Sequence, residues 1–135
     1  MEDIAEFLKE DAIKQSNHML NITYVAYYDK KIVGFYTLSA DAISAKNLGV
    51  NYKEKFADKN LGYKIYPALK LGRLEVHKDY EKKGVGTFLL KKVFKHGIIL
   101  SKSIGLRFIT IDVYMPSYEF YEKNHCKHTL KKRES

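Results

Sequence analysis

The chain has 135 residues, of which 45% are hydrophobic and 30% are charged. This size and balance are typical of one globular domain and exclude a chain that is disordered throughout. No long apolar run predicts a membrane-spanning helix, and the acidic, amphipathic start differs from a secretory signal. One cysteine, Cys126, cannot form an internal disulfide and fits a reducing compartment. We expect a single domain over residues 1–135, located in the cytoplasm.

The first half of the chain predicts a helix followed by a hairpin. Apolar residues at helical spacing indicate an amphipathic helix over residues 3–18. Residues 21–29 and 32–40 are rich in β-branched and aromatic side chains around Asp29-Lys30-Lys31, which predicts two antiparallel strands. Residues 41–65 have mixed composition and predict a helical turn and a long connection.

The most informative segment is residues 74–87, where an apolar strand leads into a basic turn with two glycines that opens an amphipathic helix. Glycines let the backbone approach an anion, and the free N–H groups of a helix's first turn point at it. The alternative is a tight strand-to-helix turn with two solvated lysines. The spacing matches neither the Walker loop nor the dinucleotide-binding loop. The helix is predicted to reach about residue 103, and its buried stripe comprises Val85, Phe88, Leu89, Val93, Gly97 and Leu100.

A second strand over residues 107–114 and a short helix over 116–124 follow. In this order the parts resemble the GNAT superfamily of acetyl-CoA-dependent N-acetyltransferases. The resemblance implies an α/β (α+β) fold with a mixed, mostly antiparallel central sheet flanked by helices. Little sequence remains at either end for the family's terminal edge strands. Either a partner chain supplies them, giving a homodimer, or this is a minimal or decayed member with an exposed edge.

The family's coenzyme A turn has the pattern [RQ]-x-x-G-x-[GA], which Glu81-Lys82-Lys83-Gly84-Val85-Gly86 fills except at its first position. The resemblance therefore implies that acetyl-CoA is the cosubstrate and that its pyrophosphate lies on backbone amides of this turn. The implied cofactor-binding residues are Leu74, Val76, Glu81, Lys82, Lys83, Gly84, Val85, Gly86 and Thr87.

The run Phe120-Tyr121-Glu122-Lys123 is similar to the family's F-Y-E-K-x-G-F motif, although His125-Cys126 replaces Gly-Phe. The resemblance implies that Tyr121 lies near the coenzyme A sulfur and acts as general acid, and that a main-chain N–H near Val76 polarises the thioester. The alternative is a core tyrosine. Glu75 is our candidate general base, with Asp112 and His77 as alternatives, and any of the three can be purely structural.

Lysine and arginine exceed acidic residues by thirteen to seven from Leu74 onward, against eleven to nine before it. An anionic cosubstrate explains part of this excess, and the rest indicates either RNA as a partner or an ordinary solvated basic surface. Residues 32–39 and 71–76 resemble the GNAT branch that includes acetyltransferase toxins. We expect transfer of an acetyl group to a primary amine, with a small amine or peptide as the first choice of acceptor and aminoacyl-tRNA as the second. An inactive coenzyme A-binding module and an RNA-binding regulatory module are the alternatives. No metal site is predicted, because the histidines around Cys126 lack a second ligand pair.

Overall fold

The computed structural model describes residues 6–47, 63–112 and 118–124. The first helical segment is a π-helical stretch, Phe7–Ala12, that continues as α1, Ile13–Asn17. Strands β1 and β2 cover Ile22–Tyr28 and Lys31–Ser44, and a 3₁₀ turn covers Ala45–Asn47. The remaining elements are β3 (Ile65–Val76), a 3₁₀ turn (Lys78–Tyr80), α2 (Val85–Leu100), β4 (Phe108–Ile111) and α3 (Tyr118–Lys123).

The four strands form one sheet in the order β1-β2-β3-β4. Strand β2 pairs antiparallel with both β1 and β3, whereas β3 and β4 are parallel. A parallel pair requires a crossover connection, and α2 provides it. The hairpin between β1 and β2 turns through Asp29 and Lys30, which both have positive φ angles as a two-residue turn demands. The mixed, mostly antiparallel sheet confirms the fold class that the sequence predicted.

Strand β3 contains a bulge opposite Thr37. Tyr36 pairs with Leu74 and Leu38 pairs with Leu71, so two residues of β3 face one residue of β2. The Thr37 hydroxyl accepts a hydrogen bond from the Arg73 N–H at 2.9 Å. A Cβ at Gly72 would lie 2.9 Å from that hydroxyl oxygen, so glycine permits this close approach. The bulge is thus held by a buried side chain on the neighbouring strand.

The two faces of the sheet have separate cores. One face packs against α2 and α3 through a large buried cluster, whose members are Tyr36, Leu38, Leu69, Leu71, Leu89, Leu90, Val93 and Tyr121. On the other face Phe7 and Phe35 are fully buried and stack with ring centroids 5.0 Å apart. Ala12 joins this second cluster. Phe7 and Ala12 are five residues apart, which is the hydrogen-bond spacing of a π-helix, and the wider turn brings both to the sheet.

Three sequence predictions need correction. Residues 41–44 extend β2 and residue 65 begins β3, so the region predicted as a turn and connection is partly strand. The alternation there, with Ala42 exposed and Ile43 buried, is too short to stand out in the sequence, and pairing with β3 fixes the extension. Phe88 is 53% exposed and Leu90 takes its place in the buried stripe. The first helix is π-helical over half of its length, and residues 3–5 of its predicted range lie outside the described residues.

Candidate active site

Among the described residues, the pairing of strands β3 and β4 stops at the bulge, and we call the unpaired side of β3 beyond it the opening. Their pairing runs from Ala68 with Phe108 to Leu71 with Ile111, bracketed by main-chain bonds from Arg107 to Pro67 and from Asp112 to Leu71. Strand β3 continues to Val76, whereas β4 ends at Ile111. The last five residues of β3 therefore pair with β2 on one side and border this opening on the other.

The main-chain groups that border the opening follow from the alternation of a β-strand. The His77 N–H donates to the Val33 carbonyl of β2 at 2.8 Å, and the Arg73 N–H is also directed at β2. Successive residues of a strand direct their N–H and C=O groups to opposite sides. The N–H groups of Leu74 and Val76 are consequently directed toward the opening, where they can bind a carbonyl or amide of a ligand.

A cradle of main-chain donors lies directly after β3. Lys82 and Gly84 both adopt left-handed backbone angles, with φ of 61° and 83°. Gly84 is the N-cap of α2 and provides no side-chain hydrogen bond, so the first N–H groups of this 16-residue helix keep their donor capacity. No acidic residue lies in the first turn to compete for them. An αL residue next to a helix start forms a concavity of N–H groups that suits a phosphate.

Side chains around the cradle are mostly positive and exposed. Lys82 and Lys83 precede Gly84, and all three are exposed, as is Glu81. Glu81 stands where the family pattern has Arg or Gln, so one polar or positive side chain is replaced by a negative one. Two lysines and the helix dipole outweigh this carboxylate, since each lysine carries a full positive charge. The residues present thus fit the pyrophosphate of acetyl-CoA.

Helix α3 places Tyr121 beside the cradle through its neighbour Phe120. A Cβ at Gly86 would lie 3.2 Å from the Phe120 ring, so glycine allows α3 to approach the first turn of α2. Tyr121 is 7% exposed and packs in the cluster that α2 covers. The Phe120 and Tyr121 rings contact each other edge to face at 5.1 Å. No residue spacing in the sequence predicts this contact between α3 and the cradle.

Glu75 lies on the opposite face of the sheet from Tyr121. It pairs with Phe35, which belongs to the second core, while Leu74 and Val76 pack toward α2. The Arg73 guanidinium approaches the Glu75 carboxylate at 3.8 Å and lies 4.4 Å from the Phe7 ring centroid. Asp112, an alternative base, forms an ion pair with Lys70 at 3.1 Å. The sheet thus separates the two candidate catalytic side chains, with the opening between them.

The structure also identifies residues that the sequence did not indicate. Thr37 holds the bulge at the point where β3 leaves β4, and Thr110 donates a hydrogen bond to Asp41 at 2.8 Å across β3. Both threonines are buried. Their hydrogen bonds hold the strands together at the end of the opening where β3 and β4 still pair. Only the pairing register between strands could have predicted these two residues.

Comparison with known proteins identifies the family. The sequence profile of the acetyltransferase (GNAT) domain matches residues 20–125. The chain belongs to the GNAT family, and it is therefore an acyltransferase of the N-acetyl type that uses acetyl-CoA. No curated protein sequence gives a significant match.

Solved structures support the same fold. A tyrosine variant of KacT gives a TM-score of 0.72 at 24% identity and covers 87% of this chain and 69% of its own. AtaT complexed with acetyl-methionyl-tRNAfMet gives 0.73 at 20% identity, with the same two coverages. AtaTR bound with acetyl-CoA gives 0.69 at 20% identity. The chain thus spans about two thirds of the length of these relatives.

Two negative findings concern the described residues only. None of their helices is both long and apolar enough to cross a membrane. Residues 6–47, 63–112 and 118–124 contain no group of three side chains able to hold a metal ion. The histidines around Cys126 lie outside these ranges.

Proposed function

We propose that this enzyme acetylates the α-amino group of an aminoacyl-tRNA. The observation that supports this choice of acceptor is the structural likeness to AtaT, which is described in complex with acetyl-methionyl-tRNAfMet. The net charge of +8 agrees with a polyanionic partner. A cytoplasmic location belongs to the proposal, because both substrates are used there.

The proposed reaction forms a C–N bond and breaks the C–S bond of the thioester. The neutral amine attacks the carbonyl carbon, loses one proton, and the departing thiolate gains one. An α-amine has a pKa of about 8, so a substantial fraction is neutral near pH 7.5 without a strong base. Holding the amine next to the thioester, between β3 and β4, therefore supplies most of the rate enhancement.

The residues of the opening have distinct roles in this proposal. The Val76 N–H donates to the thioester oxygen, where negative charge develops. The Tyr121 hydroxyl protonates the thiolate, since a phenol of pKa about 10 can protonate a thiolate whose thiol has a pKa near 8.5 when the two are in contact. Glu75 accepts the amine's proton from the other face. The main-chain N–H groups of Val85, Gly86 and Thr87, with Lys82 and Lys83, hold the pyrophosphate.

The test is acetyl transfer measured on aminoacyl-tRNA and on a panel of small amines and peptides. Release of coenzyme A and formation of N-acetyl-aminoacyl-tRNA should both occur with the unmodified chain. Gly84→Glu adds bulk and negative charge to the cradle and should abolish acetyl-CoA binding in calorimetry. Gly105→Glu is the matched control, because Gly105 is exposed and a Cβ added there would meet no atom within 4 Å.

Each outcome decides between functions. Transfer to tRNA alone supports the proposal, whereas transfer only to small amines or peptides assigns a different acceptor. Binding of acetyl-CoA without transfer to any acceptor would indicate an inactive regulatory module. Failure to bind acetyl-CoA, combined with binding of RNA, would indicate an RNA-binding module.

A further inference from the structure

A cluster of aromatic and basic side chains lies where the β1–β2 hairpin meets the turn after β3. We call it the tyrosine–lysine patch, and its members are Tyr28, Lys31, His77, Tyr80 and Lys83. The rings of Tyr28 and Tyr80 contact edge to face at 6.3 Å, and those of His77 and Tyr80 at 6.1 Å. The Lys83 ammonium lies 5.6 Å from the Tyr80 ring centroid. An open pocket of about 490 Å³ is lined by Lys31, Ile32, His77, Asp79, Tyr80 and Lys83.

The position of the patch separates it from the acetyl-CoA opening. In the strand order β1-β2-β3-β4, the opening lies on the β4 side of β3. Tyr28 and Lys31 belong to β1 and β2, on the other side of β3. The pocket lining includes none of the residues 84–87 that form the main-chain cradle. Only Lys83 borders both, so the cosubstrate leaves most of the patch unexplained.

The chemistry of the patch matches that of unpaired nucleotides. Tyr28 is 67% exposed, so its ring faces solvent at the end of β1. Exposed aromatic rings beside lysines are the usual elements that bind single strands, with bases on the rings and phosphates on the ammonium groups. Residues 28–31 and 77–83 contain five lysines against three acidic residues.

Two side chains of the pocket, His77 and Asp79, add polar groups that can bind the polar edge of a base. The Nδ1 atom of His77 accepts a hydrogen bond from the Asp79 N–H at 3.2 Å and lies 3.7 Å from the Asp79 carboxylate. The carboxylate disfavours a bare phosphate in the pocket but can accept from the amino group of a base.

We infer that the tyrosine–lysine patch binds unpaired nucleotides of a single-stranded nucleic acid. An acidic peptide would satisfy the lysines but would not use the exposed rings, which is why a nucleic acid is favoured. The inference does not depend on the acceptor proposed above, since it concerns binding on the opposite side of β3 from the acetyl transfer.

The test measures binding of fluorescent oligonucleotides of about 12 nucleotides, as RNA and as DNA, within the usual range of single-strand site sizes. Tyr28→Ala should weaken binding at least about 5-fold, which corresponds to about 1 kcal/mol for the loss of one stacked base. Tyr28→Trp should retain the affinity. Tyr63→Ala is the matched control, because Tyr63 is 63% exposed beside the opposite end of β3. Equal losses in Tyr28→Ala and Tyr63→Ala would overturn the inference.

Lysine contacts are tested by the salt dependence of the same binding. Each phosphate contact on a single strand contributes about 0.7 to the slope of log K against log salt. Lys31→Gln should reduce the slope by about that amount, whereas Lys64→Gln, an exposed lysine next to Tyr63, should leave it unchanged. Identical slopes in the two variants would contradict the assignment.

Competition experiments distinguish a single-stranded nucleic acid from the two other possible ligands of the patch, which are acetyl-CoA and an acidic peptide. Saturating acetyl-CoA should leave most of the oligonucleotide affinity, because only Lys83 borders both sites and the Tyr28 and Tyr80 rings lie away from the cradle. Full displacement by acetyl-CoA would assign the patch to the cosubstrate, and displacement by polyglutamate with no effect of Tyr28→Ala would assign it to an acidic peptide. Either result would overturn the inference. Unchanged acetyl-CoA binding by each variant confirms that it is folded.

Discussion

At the scale of single residues, the two candidate catalytic side chains have different surroundings. Tyr121 is 7% exposed within the core beneath α2, while the side chain of Glu75 is 21% exposed next to Arg73. A buried phenol in a fixed position suits proton donation to one leaving atom. The Glu75 carboxylate lies 3.8 Å from the Arg73 guanidinium, which competes with a substrate amine for it. We therefore expect the larger kinetic effect at Tyr121.

Tyr121→Phe should lower kcat by about 10²-fold or more, because general acid catalysis contributes about that much, with acetyl-CoA affinity unchanged. The measurement is steady-state acetyl transfer combined with calorimetric titration of acetyl-CoA. The matched control is Tyr63→Phe, which removes an exposed hydroxyl away from the opening. Loss of acetyl-CoA affinity in parallel with kcat would instead indicate a packing role for Tyr121.

Tyr36 provides a prediction on alkaline stability. Its hydroxyl contacts His96 Nδ1 at 3.2 Å, and burial, followed by the nearby Tyr24, raises the pKa of Tyr36 above 10.0. A raised pKa means that the native state holds this proton more tightly, so the stabilisation is complete below pH 10 and is lost as pH rises through the native pKa. Tyr36→Phe should cost about 1 kcal/mol at pH 8 through the lost hydrogen bond, and should show a shallower loss above pH 10. Urea unfolding of the unmodified chain and of Tyr36→Phe from pH 8 to 11 measures both effects. A free energy of unfolding that falls equally with pH in the two proteins would contradict the prediction.

At the scale of elements, the sequence predicted what depends on local chain chemistry. The hairpin, the long helix and the glycine-bearing turn were all predicted, because turn residues, apolar spacing and glycines act within a few neighbours. The bulge at Gly72 and Arg73 was not, since it depends on Thr37 in another strand. The extension of β2 through Ser44 was missed for the same reason: pairing with Ile65 fixes it. Residues 113–117 and 125–135 of the predicted last strand and turn lie outside the described part of the chain.

The turn before α2 gives a prediction on backbone strain. Gly84 has a φ of 83° and open space where a Cβ would lie, so Gly84→Ala is opposed by conformation and not by contacts. We expect a loss of about 1 to 2 kcal/mol and a Tm lower by roughly 2 to 8 °C. Gly105→Ala has equally open space and no positive φ, and should leave Tm nearly unchanged. Similar Tm values for both variants would show that the Gly84 conformation is not retained in solution.

At the scale of the whole molecule, binding energy and stability are linked. Acetyl-CoA at about 100 times its Kd should stabilise the native state by about 2.7 kcal/mol through mass action. Thermal unfolding of the unmodified chain should therefore shift upward by several degrees, and Gly84→Glu should lose the shift while Gly105→Glu retains it. An equal shift in both variants would place the acetyl-CoA site away from the cradle.

Oligomeric state stays a prediction. Strand β1 is an edge of the described sheet, and its Ile22 is 47% exposed, which favours pairing with a second copy. Sedimentation velocity over a range of concentrations should reveal a species of twice the 15.7 kDa chain mass. A single 15.7 kDa species at all concentrations would exclude the homodimer.

The directed N–H groups of Leu74 and Val76 and the donors of the α2 first turn have one further consequence. They belong to the main chain, so every amino acid except proline supplies them. An alanine scan would therefore pass over much of this site and report mainly Tyr121, Glu75 and the lysines. The same property would allow relatives only 20% to 24% identical to keep such a site on the fold they share, at TM-scores of 0.69 to 0.73. Selection on such a site acts through the path of the backbone, and side chains are free to diverge around it.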